Sequence, residues 1–159
     1  MSNALKAKIK QQADFENPAA EAMLNLMVAA DAVRTMINRI LAIHEITGGQ
    51  YNVLRILRGA GDDGHPRCEI AGRMIERAPD ITRIIDRLEK QELVIRDRTD
   101  EDRRLSVTRI SRKGLDLLER IEPELLKANH EFAKKLSAAE WIALTSICEK
   151  IYAEQNETN

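Results

Sequence analysis

Two pairs of arginines are the residues of this chain whose type and spacing point to chemistry. Arg83 and Arg87 are four residues apart on a short helix predicted to begin at Pro79, so they share one face of that helix. Arg103 and Arg104 close a turn that is rich in acidic residues. A guanidinium group presents donors in a planar fork that fits phosphate oxygens and the edge of guanine. Both pairs are therefore candidates for contact with a polyanion.

The predicted helix has one apolar and one polar face. Its apolar residues follow the i, i+3, i+4, i+7 pattern of a buried stripe and are Ile81, Ile84, Ile85 and Leu88. The polar face offers candidates for base or phosphate contact, which are Asp80, Thr82, Arg83, Asp86 and Arg87. Asp80 could instead cap the helix, and Arg87 could instead pair with a neighbouring carboxylate. An ordinary solvated helix face is the alternative interpretation.

A charged β-hairpin is predicted directly after this helix. Residues 93–98 and 105–110 are rich in β-branched side chains with partial alternation, and residues 99–103 form the turn between them. A helix followed by such a hairpin is typical of a winged helix-turn-helix. In that fold the helix enters a major groove, and the hairpin, called the wing, reaches the flanking backbone or the minor groove. A solvated charge cluster is the alternative for the turn.

Three helices are predicted before the polar helix. Residues 19–46 contain neither Pro nor Gly and carry a wide apolar stripe, which predicts one long helix. Thr47 and Gln50 have the spacing of a capping box and open the next helix. A short third helix is predicted from Arg67 to about residue 75. Its arginines, Arg67 and Arg73, are candidates for contact with phosphates.

Long helices are also predicted after the hairpin. Ser111 begins one that contains Pro123, which is expected to kink it. Ser137 and Glu140 have the spacing of a second capping box, which opens a last helix whose Leu144, Ile147 and Ile151 are expected to face inward. The terminal helices have apolar stripes with little to bury against inside the central unit. A two-fold homodimer would cover these stripes and place two recognition helices about one turn of DNA apart, which suits a palindromic site.

The predicted fold is therefore mainly α with a small β-hairpin. We expect a flexible N-terminus at residues 1–17, dimerisation helices at residues 18–46 and 112–155, and a winged helix-turn-helix at residues 47–111. These segments are expected to form a single compact chain.

Composition limits the classes of protein that the chain can belong to. Only 3% of its 159 residues are aromatic while 43% are hydrophobic, which favours aliphatic helices packed on helices. No apolar run of about 18 residues and no N-terminal signal region is present, so a cytoplasmic protein without membrane association is expected. The net charge is −1, but residues 67–114 hold 13 Lys and Arg against 10 Asp and Glu, a local charge of +3.

No pattern typical of catalysis or of a cofactor site is present in the sequence. It lacks a Ser/His/Asp order, a glycine-rich phosphate loop and an HExxH motif. His44, His65 and His130 have no partners at metal-ligand spacing. We therefore expect no enzyme, no metal and no cofactor.

The sequence resembles the MarR family of transcriptional regulators over roughly residues 19–151. Residues 93–98, 100–104 and 107–114 resemble the wing signature of that family, in which an Asp-x-Arg at the hairpin tip precedes a strand and a Lys-Gly pair. Residues 82–89 resemble its recognition helix, and residues 47–54 resemble the start of its second helix. One departure is Glu92, where the family usually has Gly. Because a left-handed cap is unfavourable for Glu, the helix is expected to close in another way.

This resemblance implies a homodimer that binds duplex DNA, often as a repressor released by a small, commonly phenolic ligand. It also implies that Asp102 orients Arg104 toward the minor groove. The ligand cleft of the family adjoins the junction of the first two helices, which His44 and Tyr51 flank here; plain structural roles are the alternative for both residues. A winged-helix module that binds protein instead of DNA is the alternative function, and two arginines on a projecting tip argue against it.

Overall fold

The computed structural model describes residues 4–97 and 106–153, which are mostly helical. The helices are α1 Ala4–Ile9, α2 Pro18–Ile43, α3 Gly48–Ala60, α4 Arg67–Gly72, α5 Ile81–Lys90, α6 Arg112–Ala133 and α7 Ala138–Ala153. The strands are β1 His65–Pro66, β2 Val94–Asp97 and β3 Val107–Ile110. The chain divides into two units, Met1–Ile121 and Glu122–Asn159, and α6 contributes residues to both.

The three strands form an antiparallel sheet in the order β1-β3-β2. Strands β2 and β3 pair from Val94 opposite Ile110 to Asp97 opposite Val107, which confirms the predicted hairpin strands with shorter bounds. The sequence analysis missed β1, a strand of two residues without alternation of its own. It forms beside β3 because Gly64, with φ +64°, brings the chain so close that a Cβ there would lie 2.5 Å from the carbonyl oxygen of Thr108.

The core of the first unit is aliphatic and lies where α3, α4 and α5 meet the sheet. Of the four residues in the predicted stripe on α5, Ile81, Ile85 and Leu88 are buried and Ile84 is half-buried. The other fully buried aliphatic side chains of this unit are Leu41, Val53, Leu54, Leu57, Ile70, Leu118 and Ile121. Helices α3, α4 and α5, with β1 between α3 and α4, and the hairpin of β2 and β3 form the predicted winged helix-turn-helix, with long helices before and after it.

Side-chain caps define where the helices begin. The hydroxyl of Thr47 accepts a hydrogen bond from the backbone N–H of Gln50 at 3.3 Å, and the Gln50 side chain accepts one from the Thr47 N–H at 3.0 Å. This confirms the predicted capping box. At α5 the cap is Asp80, whose carboxylate accepts from the N–H of Arg83 at 3.2 Å. The helix therefore begins after Asp80, and the expectation that Pro79 occupies its first position is wrong.

The last helix begins with a capping box of the same kind. The backbone N–H of Ser137 donates to the Glu140 carboxylate at 2.8 Å, and the Ser137 hydroxyl donates to it at 2.7 Å. These two hydrogen bonds hold the pKa of Glu140 below its usual value. The backbone N–H of Glu140 in turn donates to the Ser137 hydroxyl at 3.4 Å, which confirms the predicted capping box.

Helix α2 has an unusual end. Glu45 follows the helix with φ +58°, and hydrogen bonds from Glu45 N to Ala42 O (3.1 Å) and from Ile46 N to Leu41 O (3.2 Å) close it. This is a Schellman motif with a glutamate in the left-handed position that glycine normally occupies. Leu41 and Ile46 are both buried, so their packing stabilises the turn.

The long helices expose apolar side chains within their own units. On α2, Met23 and Met27 are exposed, and only Leu41 is buried. On α7 no residue is buried, so the expectation that Leu144, Ile147 and Ile151 face the interior is wrong for the single chain. The reason is that residues 122–153, the described part of this unit, form only two helical segments, too few to cover a helix with apolar residues on most of its sides.

The N-terminal segment contains a feature that the sequence analysis did not predict. Residues 4–9 form the short helix α1, and its Leu5 is buried.

In the described part of the chain, none of the helices combines the length and the apolar character that crossing a membrane requires.

Candidate nucleic-acid interface

Helix α4 contacts α5 through a side chain that the sequence analysis assigned to DNA. The guanidinium of Arg67, at the first position of α4, donates to the hydroxyl of Thr82 at 3.0 Å. Arg73, just after α4, pairs instead with Glu69 one turn earlier at 2.7 Å. Arg67 therefore links the two helices, and both arginines keep an exposed position.

The exposed face of α5 carries two arginines in different electrostatic settings. Arg83 pairs with the Asp80 carboxylate at 2.7 Å, and its side chain is 79% exposed. Arg87, one turn further on, is exposed and has no ion pair with any residue in the described parts of the chain. Neither arginine is held by a buried contact. Both are free to exchange solvent for an anionic ligand.

The sequence predicts Asp86 as a candidate for DNA contact, but in the structure its carboxylate is bonded to another residue of the protein. Its carboxylate accepts a hydrogen bond from the guanidinium of Arg96 on β2 at 2.7 Å, and Glu89 lies 3.7 Å from the same nitrogen. The Arg96 side chain is only 20% exposed. Sequence reasoning missed Arg96. The signal was its spacing of two from the buried Val94, which places it on the inner face of β2.

A second arginine links the two strands of the hairpin. Arg109 on β3 forms an ion pair with Asp97 on β2 and donates to the carbonyl oxygen of Asp62, in the turn before β1. It thereby ties β2 and β3 to the segment that precedes β1. The predicted tip residues Asp102, Arg103 and Arg104 lie outside the described residues.

Helix α5 ends in a left-handed residue. Glu92 has φ +61°, and hydrogen bonds from Glu92 N to Glu89 O and from Leu93 N to Leu88 O, both 2.9 Å, complete a Schellman motif. The expectation that this helix closes without a left-handed residue is therefore wrong. The conformation persists because Leu88 and Leu93 are both buried and fix the turn from either side.

The start of α6 docks against this turn. The hydroxyl of Ser111 donates to the carbonyl oxygen of Glu92 at 2.7 Å and accepts from the N–H of Gly114 at 3.0 Å. The N–H of Ser111 donates to the carbonyl oxygen of Leu93 at 3.1 Å, and Lys113 pairs with the Glu92 carboxylate at 3.0 Å. We call these five residues, Glu92, Leu93, Ser111, Lys113 and Gly114, the clasp. It joins the two ends of the hairpin.

The candidate ligand residues lie at the junction of α2 and α3. His44 is the half-buried cap at the end of α2. Tyr51 is half-buried on the first turn of α3, where its hydroxyl accepts from Arg55 at 3.1 Å and the same guanidinium lies 5.8 Å from its ring centre. Gln50, beside Tyr51, donates to Gln91 at the end of α5 at 2.9 Å. The junction is therefore bonded directly to the end of α5.

Fold and site together define a winged helix-turn-helix regulator. The MarR family model matches residues 46–106. A MarR transcription factor from Planctomyces limnophilus is 34% identical, with 86% of this chain and 98% of that chain covered and a TM-score of 0.67. The chain therefore belongs to the MarR family and is a DNA-binding transcriptional regulator, as its sequence predicts.

Two further proteins are similar to this chain. The transcriptional regulator MhqR of Bacillus subtilis is 28% identical over 120 residues, which are 76% of this chain and 81% of that protein. A mutant MarR from Escherichia coli, solved in complex with operator DNA, is 22% identical with a TM-score of 0.75, covering 87% of this chain and 99% of that one. The similarity to the Escherichia coli structure shows that the two proteins share a fold.

Replacing Gly114 with Ala is expected to destabilise the protein. A Cβ at this position would lie 2.3 Å from the carbonyl oxygen of Leu93, which is backbone and cannot move aside cheaply. We expect a loss of about 1–3 kcal/mol in the free energy of unfolding, measured by urea denaturation. Gly59→Ala is the matched control: its Cβ would meet nothing within 4 Å, so it should stabilise by up to about 1 kcal/mol. Equal effects of the two substitutions would refute the close approach.

Replacing Glu92 with Gly is expected to stabilise the protein. Glycine adopts the left-handed conformation without strain, and the exposed pair with Lys113 that is lost contributes little. We expect a gain of about 0.5–1 kcal/mol in the same denaturation experiment. Glu45→Gly, at the equivalent position of α2, should give a similar gain. A loss at Glu92 alone would show that its pair with Lys113 outweighs the backbone strain.

Proposed function

We propose that this protein reads a specific DNA site through α5 and contacts the flanking DNA through the wing. The observation that carries the proposal is the pair of exposed arginines, Arg83 and Arg87, on the outer face of α5. Arg83 lies near the N-terminus of the helix, where recognition helices contact base edges, so we assign it to a guanine. Arg87 lies one turn further along and is assigned to a phosphate.

The remaining candidates have supporting roles in this proposal. Arg67 and Arg73 are exposed beside α5 and are assigned to phosphates, with Arg67 also holding Thr82. Asp80 caps α5 and pairs with Arg83, so it orients that arginine in the free protein. At the wing we assign Asp102 to orienting Arg104, and Arg103 and Arg104 to the minor groove or the backbone.

We propose further that the protein is a homodimer that binds a palindromic operator. The exposed apolar side chains of α2 and of α7 support this, because a monomer would leave them in water. In this arrangement residues 18–46 and 112–155 form the dimerisation layer and residues 47–111 bind DNA. We also propose that the protein acts in the cytoplasm as a repressor. A small aromatic or phenolic ligand that binds near His44 and Tyr51 would release it from DNA. The half-buried Tyr51 ring supports an aromatic ligand.

The DNA assignment is tested with two duplexes, one selected from a random library by the wild-type protein and one of scrambled sequence. Arg83→Ala should lower the affinity for the selected duplex about tenfold or more and change the affinity for the scrambled duplex little, because a base contact is lost. Arg104→Ala should weaken binding to both duplexes without lowering the midpoint of thermal unfolding. Fluorescence anisotropy over a range of salt concentrations measures both affinities.

Two results would contradict these assignments. Equal losses on both duplexes would make Arg83 a phosphate contact, and unchanged affinity in Arg104→Ala would remove the wing assignment. A wild-type protein that does not distinguish any selected duplex from the scrambled one would refute the proposed function itself.

The dimer is tested by a charge on α7. Ile147→Glu should lower the molar mass measured by sedimentation equilibrium toward that of the 18.0 kDa monomer, because an exposed apolar side chain of the proposed interface becomes charged. Ile95→Glu is the matched control, because Ile95 is equally exposed but lies on β2. If Ile147→Glu leaves the dimer intact, or if both substitutions dissociate it equally, α7 is not part of the interface.

A further inference from the structure

The ion pairs at Arg96 connect the hairpin to the helix that carries the DNA-facing arginines. Asp86 and Glu89 are three residues apart on α5, so both carboxylates are on one side of the helix. Arg96 reaches them from β2 and bonds Asp86 at 2.7 Å. The Arg96 side chain is only 20% exposed, against 79% for Arg83 and 55% for Arg73, so the guanidinium of this pair is the one shielded from solvent.

The same contact explains why carboxylates are tolerated on α5. A carboxylate without a partner would repel the phosphates of bound DNA. The guanidinium of Arg96 offsets this charge and is itself held away from solvent, so it is poorly placed to bind a phosphate. Asp86 therefore has a partner within the protein, and this partner belongs to the hairpin.

Two attachments now fix the hairpin relative to α5. One is the clasp at Glu92 and Leu93, where the chain leaves the helix. The other is Arg96, three residues beyond Leu93, or about 10 Å along an extended strand. The hairpin is also held by the pairing of β3 with β1 and by the buried Val94. Arg96 adds a direct bond from the hairpin to a side chain on the polar face of α5.

We propose that Arg96 is a positioning residue for sequence reading, and that Asp86 acts through Arg96 instead of contacting DNA. This inference rests on the proposed function, because it concerns how α5 and the wing meet the same DNA site. The pair between Arg96 and Asp86 holds the hairpin and the outer face of α5 in one geometry. A specific site needs that geometry, whereas non-specific DNA, bound through its phosphates alone, does not.

A double-mutant cycle on the full-length protein tests the proposal, with the selected and scrambled duplexes as probes. Arg96→Met keeps the aliphatic stem and removes the guanidinium, and Asp86→Asn keeps the shape and removes the charge. Each is expected to lower the affinity for the selected duplex about tenfold and for the scrambled duplex less than twofold. The double variant should lose no more affinity for the selected duplex than the single variant with the larger loss, because both changes break the same interaction.

Controls separate this effect from a general loss of charge or of stability. Lys6→Met and Asp14→Asn remove an ion pair whose cation side chain is 19% exposed, outside both the DNA-binding and the dimerisation segments, and should leave both affinities unchanged. Arg96→Lys keeps the charge without the fork and should recover part of the affinity for the selected duplex. Affinities are compared at a temperature at which circular dichroism shows every variant folded. If Arg96→Met does not fold, Asp86→Asn and Arg96→Lys provide the same comparison.

Three outcomes would overturn the inference. Arg96→Met could lower the affinity for both duplexes equally and reduce the slope of log affinity against log salt concentration by about one phosphate contact. That result would make Arg96 a direct DNA ligand. Additive losses in the double variant, or an altered preference at one base pair in Asp86→Asn, would make Asp86 a base contact. Unchanged affinities in both single variants would show that the pair has no part in DNA binding. In all three cases wild-type discrimination persists, so the proposed function is unaffected.

Discussion

The hydroxyl of Ser111 joins the two ends of the hairpin, and the geometry of the interface depends on it. It donates to the carbonyl oxygen of Glu92 and accepts from the N–H of Gly114, so one side chain links the end of α5 to the first turn of α6. The absence of a Cβ at Gly114 lets the backbones approach closely enough for this to happen. Because the hairpin begins and ends at the clasp, its base has a fixed position beside α5.

The electrostatic design of the interface follows from this fixed position. The candidates for DNA contact on α5 separate into side chains bonded to other elements of the protein and side chains left at the surface. Thr82 is bonded to Arg67 and Asp86 to Arg96, so both contribute to the arrangement of the elements. Arg87 has no ion pair within the described residues. An exposed ion pair contributes little free energy, so Arg83 can leave Asp80 to bind a ligand.

The proposed homodimer accounts for the exposed apolar surface of the long helices without any rearrangement of the core. The first unit has its own aliphatic core, built on side chains such as Leu54, Leu57 and Leu88. The apolar side chains of α7 do not contribute to a buried cluster in their own unit. A second copy of the chain is the partner that the proposed homodimer supplies for them.

The sequence by itself determined the features that depend on neighbours a few residues apart. The Thr47 capping box, the buried face of α5 and the two hairpin strands follow from local hydrogen bonding and from the periods of helices and strands, and the structure confirms them. Membership of the MarR family was also readable from these local motifs. The roles assigned to Arg83 and to the wing remain predictions.

Only the tertiary structure decided the contacts between residues that are distant in sequence. Strand β1 exists because β3 lies beside it, and Glu92 is left-handed because two buried leucines and Ser111 hold it there. The partner of Asp86 is ten residues away on another element, which the period of a helix cannot indicate. The physical reason is that the free energy of a polar group or a strained backbone depends on the residues that the fold places against it. The local sequence does not specify those residues.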